Sequence, residues 1–131
     1  MAVDLSALVD DLVAESAALD AVLERLRPSQ WSLPTLAAGW VVGDQVSHLA
    51  YFDEATLQSL VDPEQFRRDA EVLTSGGHGF PDRIAAEHRG RPGADLLNWF
   101  REARAALVDA YRTVDPRRRL PWYGPDMSPA S

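Results

Sequence analysis

Three stretches of this 131-residue chain carry apolar residues at three- and four-residue spacing, and none alternates polar and apolar as a half-buried strand does. That period suits only α-helices packed face to face. The first stretch covers residues 4–27, where Leu5, Leu8, Leu12, Leu19, Val22 and Leu26 face one way and Asp10, Asp11, Glu15, Asp20 and Glu24 the other. Pro28 ends it, because proline lacks the amide hydrogen that a helix interior needs. The second stretch, 42–61, aligns Val42, Val46, Leu49, Asp53, Leu57 and Leu60, with Asp53 the single polar intruder. The third, 94–114, aligns Leu96, Phe100, Ala103, Leu107, Ala110 and Val114, and Leu97, Trp99 and Tyr111 widen its face. Asp115-Pro116 stops it.

These spacings predict an all-α fold: one domain over 1–131, with three long helices packed antiparallel. Leu8, Leu12, Leu19, Leu26, Val46, Leu49, Leu57, Leu60, Leu96, Phe100 and Leu107 are the expected core. Asp62-Pro63 announces a shorter helix that fades in the glycine-rich run 74–80, and 81–89 has room for another turn or two. Segment 28–41 holds two prolines, a glycine and two tryptophans, so it reads as a loop anchored by its indoles. The last fifteen residues, "RRRLPWYGPDMSPAS", have no period. Each long helix presents an apolar face wider than one neighbour covers.

Composition removes several classes of function. Without cysteine there is no disulfide, thiolate metal site or cysteine nucleophile, so any metal would rest on His, Asp, Glu or water. A net charge of −7 repels phosphate backbones and disfavours nucleic acid. The one basic cluster, Arg117–Arg119, lies between Asp115 and Pro121 and reads as a solvated linker. The acidic start lacks the features of a secretory signal, and no apolar run is long enough for a membrane span. A cytoplasmic location is the expectation.

One histidine stands in the middle of the second helix, in "GWVVGDQVSHLAYFDEA". Helical geometry sets His48 off the aliphatic stripe, beside Gln45, Phe52, Ala55 and Ser59 and flanked by Asp44 and Tyr51. Three roles stay open at that position: a packed core residue, a general base, or one ligand of a metal. A lone helical histidine is most often a packing residue. Asp44, one turn earlier on the same side, is placed to share an ion or to accept from the ring. Asp53 is not, since five residues turn it about 140° away. Ser47 cannot pair with His48, because adjacent helical residues diverge. His78, in a glycine-flanked loop, and His88, near a helix end, are weaker candidates.

"QWSLPTLAAGWVVGDQVSHLAYFDEATL", "DPEQF", "LLNWFREARAALVDAYRTVDP" and "LPWYGPDMSPAS" together resemble the N-terminal domain of mycothiol-dependent maleylpyruvate isomerase and its metal-binding relatives, a DinB-like four-helix-bundle group. The resemblance implies that His48 is a ligand for a divalent metal, usually zinc. It implies that the other protein ligands are a carboxylate and a histidine four residues apart on a fourth helix. They would leave a position for water or a low-molecular-weight thiol, in the isomerase mycothiol. On that comparison the chain holds three of four long helices and appears truncated at Ser131, where the fourth would begin. Several expectations follow: weak or absent zinc binding by these residues alone, an enzyme only in a longer protein (a metal- and thiol-dependent isomerase or S-transferase), and a homo-oligomer that covers an open apolar groove. The alternative is a non-enzymatic helical interaction module that dimerises through that groove. Val41-Val42 stands where relatives have a Thr or Ser cap, which leaves Asp44 to satisfy the first turn.

Overall fold

The computed structural model describes residues 3–131. Five α-helices account for the fold: α1 (Leu5–Glu24), α2 (Val42–Val61), α3 (Pro63–Ser75), α4 (Phe80–Glu87) and α5 (Gly93–Tyr111). A 3₁₀ turn, Pro28–Ser32, links α1 to α2, and the only β geometry among the described residues is two isolated bridges. The all-α bundle expected from the spacing is what the chain forms.

Helix α2 is the central element, packed on α5, α3, α4 and the 3₁₀ turn, and α5 packs in turn on α1. Residue pairings fix the directions. Asp20 meets Arg101, Ser16 meets Arg104 and Asp10 meets Arg112, so α1 runs antiparallel to α5. Gly43 faces Leu96 and Asp53 faces Arg104, so α2 runs parallel to α5. This corrects the expectation of uniformly antiparallel packing. The physical reason is the connection: α3 folds back along α2, with Gln58 bonding Asp69, and α4 then returns the chain to the amino-terminal end of α2.

The core joins Leu23, Trp31, Val46, Ala50, Leu96, Leu97, Phe100 and Ala103. Of the expected core, Val46, Leu60, Leu96, Phe100 and Leu107 are buried, while Leu12, Leu19, Leu26, Leu49 and Leu57 are half-buried. Leu8 is exposed, as is Val22. Helix α1 and the turn that follows it instead point Leu5, Val9, Leu12, Ser16, Leu19, Leu23 and Leu26 inward, alternating four- and three-residue steps along a seam that meets α5. Ser16 hides that seam in the sequence. Its hydroxyl accepts from Arg104 at 2.9 Å, and the same guanidinium grips Asp53 at 2.6 Å. The polar intruder on α2 is thus one end of an ion pair that links all three long helices.

The loop before α2 is anchored by its indoles, as expected. Trp31 is buried against Gly93, and Trp40 donates to Asp82 at 2.7 Å. The tail is ordered as well. Leu120 and Met127 exchange backbone hydrogen bonds at 2.8 Å, closing a short strap over α2 and α3. Arg118 donates to the Leu60 carbonyl at 2.8 Å, capping the end of α2, so the Arg117–Arg119 run is more than a solvated linker.

Candidate metal-ligand site

The sequence around His48 builds a rigid mount. Gly39 takes φ +80°, a left-handed turn that glycine enters without strain, and it brings Trp40 back over α2. Thr35 donates to the Trp40 carbonyl at 2.9 Å and accepts from Gln45 at 3.2 Å, pinning this loop to the first turn of the helix. The Val41 amide donates to the Asp44 carboxylate at 2.9 Å, so Asp44 caps the helix start in the manner expected. Arg89 completes the fastening with bonds to Asp44 at 3.1 Å and to the Gly39 carbonyl at 3.2 Å.

His48 stands one turn further on, its ring between Trp40 at 5.2 Å and Phe52 at 4.7 Å. Its Nδ1 is buried and has no hydrogen-bond partner, the one such side-chain atom among the described residues. Burial pushes the imidazole below its ordinary pKa and keeps the ring neutral, the form that can ligate a metal. Behind Phe52 the aromatic wall continues through Tyr123 and Phe80, with Phe66 stacked on Trp122 at 5.7 Å.

The other candidates are placed elsewhere. Both Asp44 oxygens are engaged by Arg89 and the Val41 amide, and the carboxylate is almost fully buried in that role. His88 packs on Trp99 at 4.7 Å, across from Tyr51, while His78 lies exposed in the loop before α4. Asp53 is committed to Arg104. No group of three or more His, Asp or Glu side chains that could hold a metal comes together among the described residues. His48 therefore fits a metal as a single donor, and the residues present do not by themselves form a closed site.

Arg104 was not singled out by the spacing, and it is the residue that organises the bundle centre. A usable signal existed. An acid in the apolar stripe of α2 and an arginine beside the apolar stripe of α5 have only each other for partners if both helices are buried.

Fold and site together define a small DinB-like helical bundle with a lone imidazole on the flank of α2. The chain belongs to the family of the mycothiol maleylpyruvate isomerase N-terminal domain, which it matches over residues 12–131. It is also 35% identical over 128 residues to two Mycobacterium tuberculosis proteins, the uncharacterized protein MT0041 of strain CDC 1551 and the uncharacterized protein Rv0036c of strain H37Rv. The match covers 98% of this chain and 50% of each relative, so the chain spans about half the length of the curated relatives it matches. No solved structure matches the chain significantly. No helix of the described residues is long and apolar enough to cross a membrane.

Proposed function

We propose that this domain is a divalent-metal-binding module of its family, in which His48 contributes one imidazole and the remaining ligands come from outside the residues described. Zinc is the metal the family resemblance implies, and it readily takes an imidazole nitrogen among its ligands. The observation that carries the reading is the neutral His48 ring on a helix start fixed by Asp44, Arg89, Thr35 and Gln45, with its Nδ1 buried and unpartnered, which leaves Nε2 as the nitrogen through which the ring would meet an ion.

Metal-bound thiol chemistry is the enzymatic extension of this reading, with mycothiol as the thiol the family name supplies. Coordination lowers a thiol's pKa and makes the thiolate available near neutral pH. A metal- and thiol-dependent isomerase or S-transferase is then the activity of the longer assembly. The residues described here supply the mount, the imidazole and the aromatic wall.

Calorimetric titration of the 131-residue chain with zinc tests the reading. The expected result is one weak site, far short of the ~10–16 kcal/mol of closed structural zinc sites, and its loss in His48→Ala. Binding that survives His48→Ala would overturn the assignment.

A homo-oligomer is the second reading, supported by a different observation. An apolar trough of about 390 Å³ opens along α1 and α5, with Leu5, Leu8, Leu12 and Leu107 in its walls and Pro129–Ser131 at its rim. Helices of a second copy would cover it, as exposed apolar surface of that kind favours.

A further inference from the structure

We propose that Trp40 and Phe52 hold His48 as the tautomer with its proton on Nδ1, which leaves the lone pair of Nε2 free to meet a ligand. Asp82 is the positioning residue that keeps Trp40 in place for this. The step from that lone pair to an ion rests on the metal reading, and the tautomer itself does not.

A neutral imidazole carries one proton, and the surroundings of its two nitrogens decide which of them holds it. Histidines that bind a metal through one nitrogen usually donate from the other to a carboxylate, a backbone carbonyl or a water. No protein acceptor reaches Nδ1 of His48, which is buried without a hydrogen bond. Asp44, the carboxylate one turn earlier, is taken up by Arg89 at 3.1 Å and by the Val41 amide at 2.9 Å.

The partners that stand against the ring instead are aromatic. Trp40 lies 5.2 Å away at an interplanar angle of 58° and Phe52 4.7 Å away at 48°, tilts that bring ring edges toward ring faces. The face of an aromatic ring is negative, so it weakly attracts an N–H and repels a bare nitrogen lone pair. Among aromatic neighbours the proton is therefore better placed on the buried Nδ1 than on Nε2. Nε2 is not sealed in this way, so its lone pair can be met by water or by an ion.

Trp40 is fixed at both its backbone and its ring. Its carbonyl accepts from the amide and the hydroxyl of Thr35, each at 2.9 Å. Its indole N–H donates across to α4, to the Asp82 carboxylate at 2.7 Å. Donation to an anion polarises the indole and makes its face a better acceptor. Asp82 thus acts on the imidazole through Trp40.

Long-range proton–nitrogen NMR of the zinc-free 131-residue chain tests the proposal, because a protonated ring nitrogen and a bare one resonate far apart. The spectrum is taken at about pH 8, above the window in which histidines ordinarily titrate. The expected result is His48 protonated on Nδ1 in several-fold excess, beside an exposed His78 that favours Nε2–H as a free imidazole side chain does in water. Trp40→Leu should reduce or reverse that excess while helical circular dichroism is unchanged. Asp82→Ala should lower it part of the way, and Asp82→Asn, which keeps an oxygen acceptor for the indole, should restore it. His48 protonated mainly on Nε2 in the wild-type chain would overturn the proposal. An excess unchanged in Trp40→Leu, or unchanged in Asp82→Ala, would overturn the role given to that residue. Zinc is then added as a separate arm: the expected tautomer with an Nε2 that does not respond would contradict the metal reading and leave this inference standing.

Discussion

Asp53 and Arg104 show how one residue pair determines where three helices sit. Both side chains are nearly enclosed, and two guanidinium nitrogens reach the carboxylate at 2.6 and 3.2 Å. Burial pushes the Asp53 carboxyl above its ordinary value, and the bonds from Arg104 pull against that. Removing one partner leaves the other charge buried alone. Arg104→Met should therefore cost about 3–5 kcal/mol in urea unfolding, and adding Asp53→Leu should recover much of that loss. A single variant close to wild type would mean that the pair is hydrated and peripheral.

His88 supplies a pH prediction at the same scale. Burial, aided by Arg91, lowers its pKa from 6.5 while Glu87 and Glu54 pull the other way. The folded state therefore disfavours the charged ring. Its contribution to stability is complete above pH 6.5 and is lost as pH falls through that value toward the lower folded pKa. In thermal melts between pH 8 and pH 5, roughly the window in which histidines titrate, His88→Gln should lose less stability on acidification than wild type. An identical slope in the two proteins would contradict this.

The chemistry of these residues was only partly legible in the sequence. Asp44 as the cap of α2 followed from the missing Thr or Ser at its start. Its ion pair with Arg89 could not be read, because the partners are brought together by the return of α4 to the start of α2. His48 was visible as an outlier from the aliphatic stripe. That its Nδ1 would be sealed without a partner depends on Trp40 and Phe52, and only the folded loop sets their positions.

Among elements, α2 matches its expected bounds of 42–61, because Asp62-Pro63 fixes its end. Helix α1 stops at Glu24, a few residues before the expected end at 27. Pro28 forces Arg27 into an extended conformation at ψ 154°, and the chain tightens ahead of it, with Leu26 bonding back to Leu23. The α1 seam was misread because Ser16, a polar residue, occupies one of its positions while the apolar Leu8 and Val22 do not.

Gly93, the first residue of α5, gives a sharper test of the same packing. Alanine normally favours a helix over glycine, yet a Cβ at Gly93 would enter the ring of the buried Trp31. Gly93→Ala should destabilise by about 1–3 kcal/mol, the usual range for overpacking. A neutral or stabilising change in urea unfolding would mean that Trp31 is free to move aside.

At the scale of the whole molecule, the all-α class and the three long helices followed from spacing, and α3 from the Asp62-Pro63 cap, whereas the direction of α2 relative to α5 did not. Periodicity reports which face of a helix is buried and says nothing of how the connection returns. The parallel pair exists because α3 and α4 carry the chain back to the amino-terminal end of α2. The same arrangement leaves the trough beside α1, with Leu8 exposed on it. Sedimentation of the chain at micromolar concentration should find a dimer or larger species, which dissociates when Leu8 is changed to Asp. A monomer in wild type would contradict the second functional reading and leave the metal reading intact.

The central claim is that His48, alone of the chain's three histidines, is a metal donor. The most direct measurement is long-range proton–nitrogen NMR of the imidazoles during zinc addition, which reports each ring nitrogen separately. The account predicts that the His48 nitrogens shift or broaden first and saturably, while those of His78 and His88 stay in place. A response confined to His78 or His88, with His48 silent, would contradict it.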